Sequence, residues 1–79
     1  MSERAVLEGS VSIQAALASG SRDVHAIYIR LGKRDRTIGR IERLARERSV
    51  PVQRLEGEAI DAQASGKTHG GIIAHVGPR

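Results

Sequence analysis

Two hydrophobic rhythms alternate along the chain. Val24, Ala26, Ile27, Ile29 and Leu31 crowd a short run whose two faces are both apolar, the pattern of a central strand covered on two sides. Ile38, Ile41, Leu44 and Ala45 instead return at three- and four-residue intervals, as on the buried stripe of a helix. Earlier in the chain, Ala5-Val6-Leu7 reads as a short edge strand. Ile13, Ala16 and Leu17 follow at helical spacing, with Ser10 or Ser12 as the predicted N-cap and Gly20 where a glycine ends a helix. Thr37 is the predicted cap of the second helix, Glu42 and Arg46 stand in the favourable i,i+4 order, and Gly39 weakens its first turn. Val50-Pro51-Val52 through Leu55 is a further strand, with Pro51 near its start, where a missing N–H does least harm. Glu58 to Ala64 is a weak helix with Ala59, Ile60 and Ala64 as its buried positions, and Ile72-Ile73-Ala74-His75-Val76 is the closing strand. Strand and helix therefore alternate to the end, which predicts an α/β domain with a largely parallel four-stranded sheet and helices on both faces.

Seventy-nine residues make one domain, 1–79, and leave no room for a second core. A chain of this length buries only about 60% of the surface its unfolded form exposes. With no Phe, no Trp and Tyr28 alone, the core is built from Val, Ile, Leu and Ala. Such a module is expected to lean on a neighbouring domain or on a second copy of itself as a homodimer. The absence of cysteine excludes disulfides and thiolate metal sites. No run approaches the roughly 18 apolar residues of a membrane span, and Met1-Ser2-Glu3-Arg4 lacks the layout of a signal peptide, so the expected location is cytoplasmic, without membrane association.

Charge changes the picture by its position. Between Arg30 and Arg48 eight basic residues face three acidic ones, a local +5 in a chain whose formal net charge is +4. The whole positive excess thus lies in one strand end, one loop and one helix, as a polyanionic partner would require. A solvated helix face laced with charge pairs produces the same count.

The remaining polar features carry less chemistry. Gly66-Lys67-Thr68 is the tail of a phosphate-binding P-loop, but Asp61 stands where the pattern needs glycine, and the strand follows the loop instead of preceding it. Lys67 among glycines is still suited to a phosphate. His69 and His75 have no cysteine or carboxylate at ligand spacing, so no metal site is expected. No nucleophile stands with a histidine base and an orienting acid in a recognisable arrangement, and the chain by itself gives no sign of an enzyme.

Taken in order, Gly9-Ser10-Val11-Ser12-Ile13-Gln14-Ala15-Ala16-Leu17, His25-Ala26-Ile27-Tyr28-Ile29, Ser49-Val50-Pro51-Val52 and Thr68-His69-Gly70-Gly71-Ile72-Ile73-Ala74 form a familiar succession. Together they resemble the N-terminal substrate-binding domain of SpoU/TrmH-type RNA 2′-O-ribose methyltransferases, over nearly the whole chain from Val6 to Val76. The resemblance implies a three-layer α/β/α sandwich with a small mixed, mostly parallel four-stranded sheet, like the kink-turn-binding ribosomal proteins. It implies RNA, ribosomal RNA in particular, as partner, and a separate C-terminal knotted domain that binds S-adenosylmethionine and carries out the transfer. This chain would hold no cofactor and no catalytic residue. With RNA as the partner, Arg30, Lys33, Arg34, Arg36, Arg40 and Lys67 are the expected phosphate contacts, and His69, Gly70 and Gly71 shape the loop beside them. Val11 and Ser12 stand where kink-turn binders carry an Asn-Glu pair, and Gly70 replaces the glutamine usual after the histidine. These departures shift the expectation from base-specific reading towards backbone contact. A dimerisation or docking module without direct RNA contact is the alternative.

Overall fold

The computed structural model describes residues 5–20, 23–64 and 70–77. Four strands and three helices alternate in them: β1 (Ala5–Glu8), α1 (Ser10–Ser19), β2 (Val24–Arg30), α2 (Arg36–Glu47), β3 (Val52–Leu55), α3 (Gly57–Gln63) and β4 (Ile72–Val76). The strands form one sheet in the order β1-β4-β2-β3. β2 pairs with β3 in parallel, whereas β4 runs antiparallel to both of its neighbours, β1 and β2. The sheet is mixed, as expected, but one of its three pairings is parallel rather than most of them. The crossovers through α1 and α2 do keep β1, β2 and β3 in one direction. α3 is the exception, because its seven residues advance only about 10 Å and β4 starts from the same edge of the sheet at which β3 ends.

The central positions follow from burial. β4 is buried at four of its five residues, so it is paired and covered on both sides, between β1 and β2. Its Ile72, Ala74 and Val76 join Ile27 and Ile29 of β2 against Ile13 and Leu17 of α1 and Ile38, Ile41 and Ala45 of α2 in the main core. Strand alternation turns Ile73 to the opposite face, where it is fully buried, as is Ile60 of α3. Tyr28 and His75 share that second face and meet edge-on, ring centroids 5.0 Å apart and planes at 60°. Three layers therefore form, the third being a single short helix.

Helix ends depart from the sequence expectation in instructive ways. Gly20 ends α1 in the left-handed region at φ 67°, its N–H donating to the Ala16 carbonyl, as its position suggested. Neither Ser10 nor Ser12 caps α1; the N-cap is Gly9, and no side chain caps the helix. Thr37 lies inside α2, and the cap is Asp35, whose Oδ1 accepts from the Ile38 N–H at 2.8 Å. Asp35 wins because its extended backbone holds the carboxylate over the first turn, the geometry a cap needs. Glu42 pairs with Arg54 across to β3, at 2.9 Å, and not with Arg46. β2 stops at Arg30, which leaves Leu31 exposed beyond the sheet.

Candidate nucleic-acid interface

Because β1, β2 and β3 are parallel and β4 is antiparallel, the segments after the first three strands and the one before β4 gather at one edge. In open α/β sheets this carboxyl edge is where ligands bind. Here it is built from Gly9-Ser10, the loop from Arg30 to Asp35, Glu56-Gly57 and the Gly70-Gly71 turn. Gly9 N–H donates to the Ile72 carbonyl at 3.1 Å and Arg30 N–H to the Gly71 carbonyl at 2.8 Å, so the start of α1 and the end of β2 are both tied to the turn.

Gly70 and Gly71 adopt φ of 64° and 83°, a conformation that a side chain resists. At Gly71 space matters as well: a Cβ there would lie 3.1 Å from Lys33 Cδ and 3.4 Å from Arg30 Cβ. The stem of Arg30 also lies along Gly57, 3.3 Å from where a Cβ would stand. The stems of two cationic side chains are thus laid against glycine backbone. Lys33 Nζ stands 3.7 Å from Asp35 Oδ2, while Asp35 caps α2 with its other oxygen.

Of the residues predicted from the sequence, the structure brings Arg30, Lys33, Gly70 and Gly71 into one cluster. Arg34 is exposed in the same loop and borders a cleft of about 430 Å³ with Asp35, Gly39, Glu42 and Arg54. Arg36 and Arg40 lie one turn apart on the exposed face of α2, a surface that starts at the edge and runs away from it. Lys67 and His69 lie outside the described residues. The Asp35 carboxylate at the N-cap and Arg46 in the last turn of α2 favour its macrodipole, but the arginines of its exposed face oppose it. The helix opens with Arg36, has no acidic residue in its first turn, and places Arg40 and Arg43 one and two turns further on, all exposed. Cations at a helix start oppose the macrodipole, and like charges at i,i+4 repel. Among the described residues Arg36, Arg40 and Arg43 have no hydrogen-bond or ion-pair partner.

Arg54 was not legible as part of this site. From β3 it donates to the Lys33 carbonyl at 2.6 Å and to the Arg30 carbonyl at 3.3 Å, and it pairs with Glu42. Its two terminal nitrogens bond inside the domain, and one of them fixes the backbone that carries Arg30 and Lys33. Only the position of Arg54 on a strand, away from the basic run, is visible in the sequence.

Among the described residues no group of His, Asp and Glu is arranged to hold a metal ion, and no helix is long and apolar enough to cross a membrane. A four-stranded α/β sheet with Arg30, Lys33 and Arg34 gathered at its carboxyl edge has the features of a polyanion-binding module. Residues 6–79 match the sequence family described as RNA 2′-O ribose methyltransferase substrate binding, and the chain belongs to that family. Its role is therefore RNA substrate binding in 2′-O-ribose methylation. A search of curated proteins returned no match.

Proposed function

We propose that the carboxyl edge of the sheet and the adjoining face of α2 are the surface that receives the RNA backbone, and that the domain presents this RNA to a separate methyltransferase domain. The observation that carries the reading is the interlocking of Arg30 and Lys33 with Gly71, continued by Arg36 and Arg40, whose side chains have no partner among the described residues. Lys67 and His69 precede Gly70 in the chain, lie outside the described residues, and remain candidate RNA contacts by sequence alone. The RNA is structured ribosomal RNA, recognised by shape and phosphate position more than by sequence, since the edge carries no aromatic side chain among its described residues. S-adenosylmethionine belongs to the separate domain. Its sulfonium is a cation, and a cluster of Arg30, Lys33 and Arg34 is a poor match for it.

The test is RNA affinity against salt. About five phosphate contacts give a slope near −4 to −5 in log K against log salt, and an affinity loss of about 10²- to 10³-fold between 50 and 200 mM. Alanine at Lys33, Arg36 or Arg40 lowers that slope by about one unit each. Affinity that ignores salt, or slopes that these substitutions leave unchanged, would remove the proposal.

A docking or dimerisation role has one observation in its favour. The second sheet face carries half-buried Tyr28 and His75 and is covered, among the described residues, by a helix of seven residues. Sedimentation of the protein distinguishes this reading: a dimer that is unaffected when Lys33, Arg34 and Arg36 become alanine would favour it.

A further inference from the structure

β3 ends the sheet on one side, and its outer side is open. In the parallel ladder with β2, the Pro51 carbonyl accepts from Ile27 N–H at 2.9 Å and the Leu55 carbonyl from Leu31 N–H at 2.7 Å. Residues 51, 53 and 55 therefore bond towards β2, and Val52 and Arg54 between them turn their N–H and C=O groups outward. These two donors and two acceptors have no partner among the described residues. The chain on either side is occupied: Val50 N–H donates to the Ala45 carbonyl at 2.8 Å, and the Glu56 carbonyl accepts from Ala59 and Ile60 at the start of α3. Folded proteins blunt such an open row with proline or with a charged side chain. Neither device acts here. The N–H that Pro51 lacks would point towards β2, and the Arg54 guanidinium is drawn onto the Lys33 and Arg30 carbonyls and Glu42. Beside the open groups lies a cleft of about 350 Å³ lined by Glu42, Arg46, Val50, Val52 and Arg54. The two valines give it an apolar wall. Glu42 and Arg54 neutralise each other, whereas Arg46 is exposed and its side chain has no partner among the described residues.

We propose that the outer side of β3 accepts an extended segment of a protein partner as a fifth strand, with an aliphatic and an acidic side chain of that segment entering the cleft. The main chain supplies the affinity and the cleft the selectivity, as in other cases of strand addition. Donors and acceptors that recur together about every 6.6 Å, two residues of strand, match a peptide backbone. Phosphates offer acceptors alone and would leave the carbonyls of Val52 and Arg54 unmet. A second copy of this chain paired strand to strand would bring two like-charged clefts together, each carrying the charge of Arg46. An acidic residue of a different chain meets that charge instead, and an aliphatic one meets Val50 and Val52. The surface runs along the side of the sheet and not across its carboxyl edge, so the inference stands apart from the RNA reading.

The experiment is amide hydrogen exchange of the full chain, read by NMR. In the dilute free protein the Val52 and Arg54 amides should exchange at least about tenfold faster than those of Gln53 and Leu55, which bond to β2. The probe is an eight-residue peptide with blocked ends, threonine alternating with valine and glutamate in turn. At about 1 mM it should slow the Val52 and Arg54 amides about twofold or more, and the same peptide N-methylated at every residue should not. Arg46→Glu should weaken the glutamate peptide about three- to tenfold and strengthen a version with lysine in its place. Arg46 is exposed, and a thermal melt of the variant confirms that folding is intact. Slow exchange at Val52 and Arg54 in the free chain, no binding of the peptide, equal binding of its methylated form, or an Arg46→Glu variant that treats both peptides alike overturns the proposal. Protection that rises with protein concentration alone overturns it in favour of a second copy, and protection conferred by RNA overturns it in favour of a wider RNA surface.

Discussion

Arg54→Ala tests whether the interface is held from inside the domain. The Arg54 guanidinium makes three contacts, of which the 2.6 Å bond to the Lys33 carbonyl is the best placed and the 3.3 Å bond to the Arg30 carbonyl the weaker. A hydrogen bond from a charged donor contributes about 1.5–3 kcal/mol when buried, but the Arg54 side chain is 28% exposed, so about 1–1.5 kcal/mol is reasonable for the first bond and about 0.5 for the second. Glu42 is 36% exposed, and a screened pair of this kind adds about 0.5 kcal/mol. Truncation is therefore expected to cost about 2 kcal/mol, out of roughly 4–12 for a domain of this size. The melting temperature should fall by about 8–16 °C, measured by circular dichroism. Glu42→Gln removes the ion pair but keeps both carbonyl bonds, so its melt should move by only a few degrees. RNA affinity should fall with Arg54→Ala because the Arg30–Lys33 backbone loosens, while the salt slope stays as it was. A variant that melts within about 3 °C of wild type and loses one unit of salt slope would refute the reasoning, since Arg54 would then be meeting a phosphate itself.

Two glycines should respond in opposite directions. Gly71→Ala forces a side chain into φ 83° and against Lys33, at a cost of about 1–2 kcal/mol and with weaker RNA binding, whereas Gly39→Ala meets nothing within 4 Å and should stabilise α2 by up to about 1 kcal/mol in a thermal melt. If Gly39→Ala instead lowers RNA affinity while raising stability, the RNA approaches α2 closely at that point. Asp35→Ala removes the cap of α2 and the partner of Lys33, so it should lower stability by about 1 kcal/mol and raise RNA affinity at low salt. Denaturant melts and low-salt titrations of the same sample check the two signs together.

Much of this domain is local, and what is local was readable in the chain. The helix at Ile38, Ile41 and Ala45, the strand at Ile27 and Ile29, the turn out of α1 at Gly20 and the basic run from Arg30 to Arg48 are properties of spacing and composition. The choice of Asp35 over Thr37 as cap was not, because both residue types cap well and only the backbone angles at Asp35 decide between them. Glu42 likewise had a local partner in Arg46 and a better one 12 residues away in Arg54, which a local rule cannot weigh.

The sequence by itself determined the succession of elements, the aliphatic core and the location of the charge, since each depends on residues a few positions apart. The tertiary structure alone decided where β4 goes. Its apolar run is compatible with any central position and either direction, and the short α3 returns it antiparallel between β1 and β2. That placement brings Gly70 and Gly71 to the same edge as Arg30 and Lys33, some 40 residues earlier in the chain. Long-range pairing is set by which surfaces bury one another, and it is this pairing that turns a basic loop into an interface.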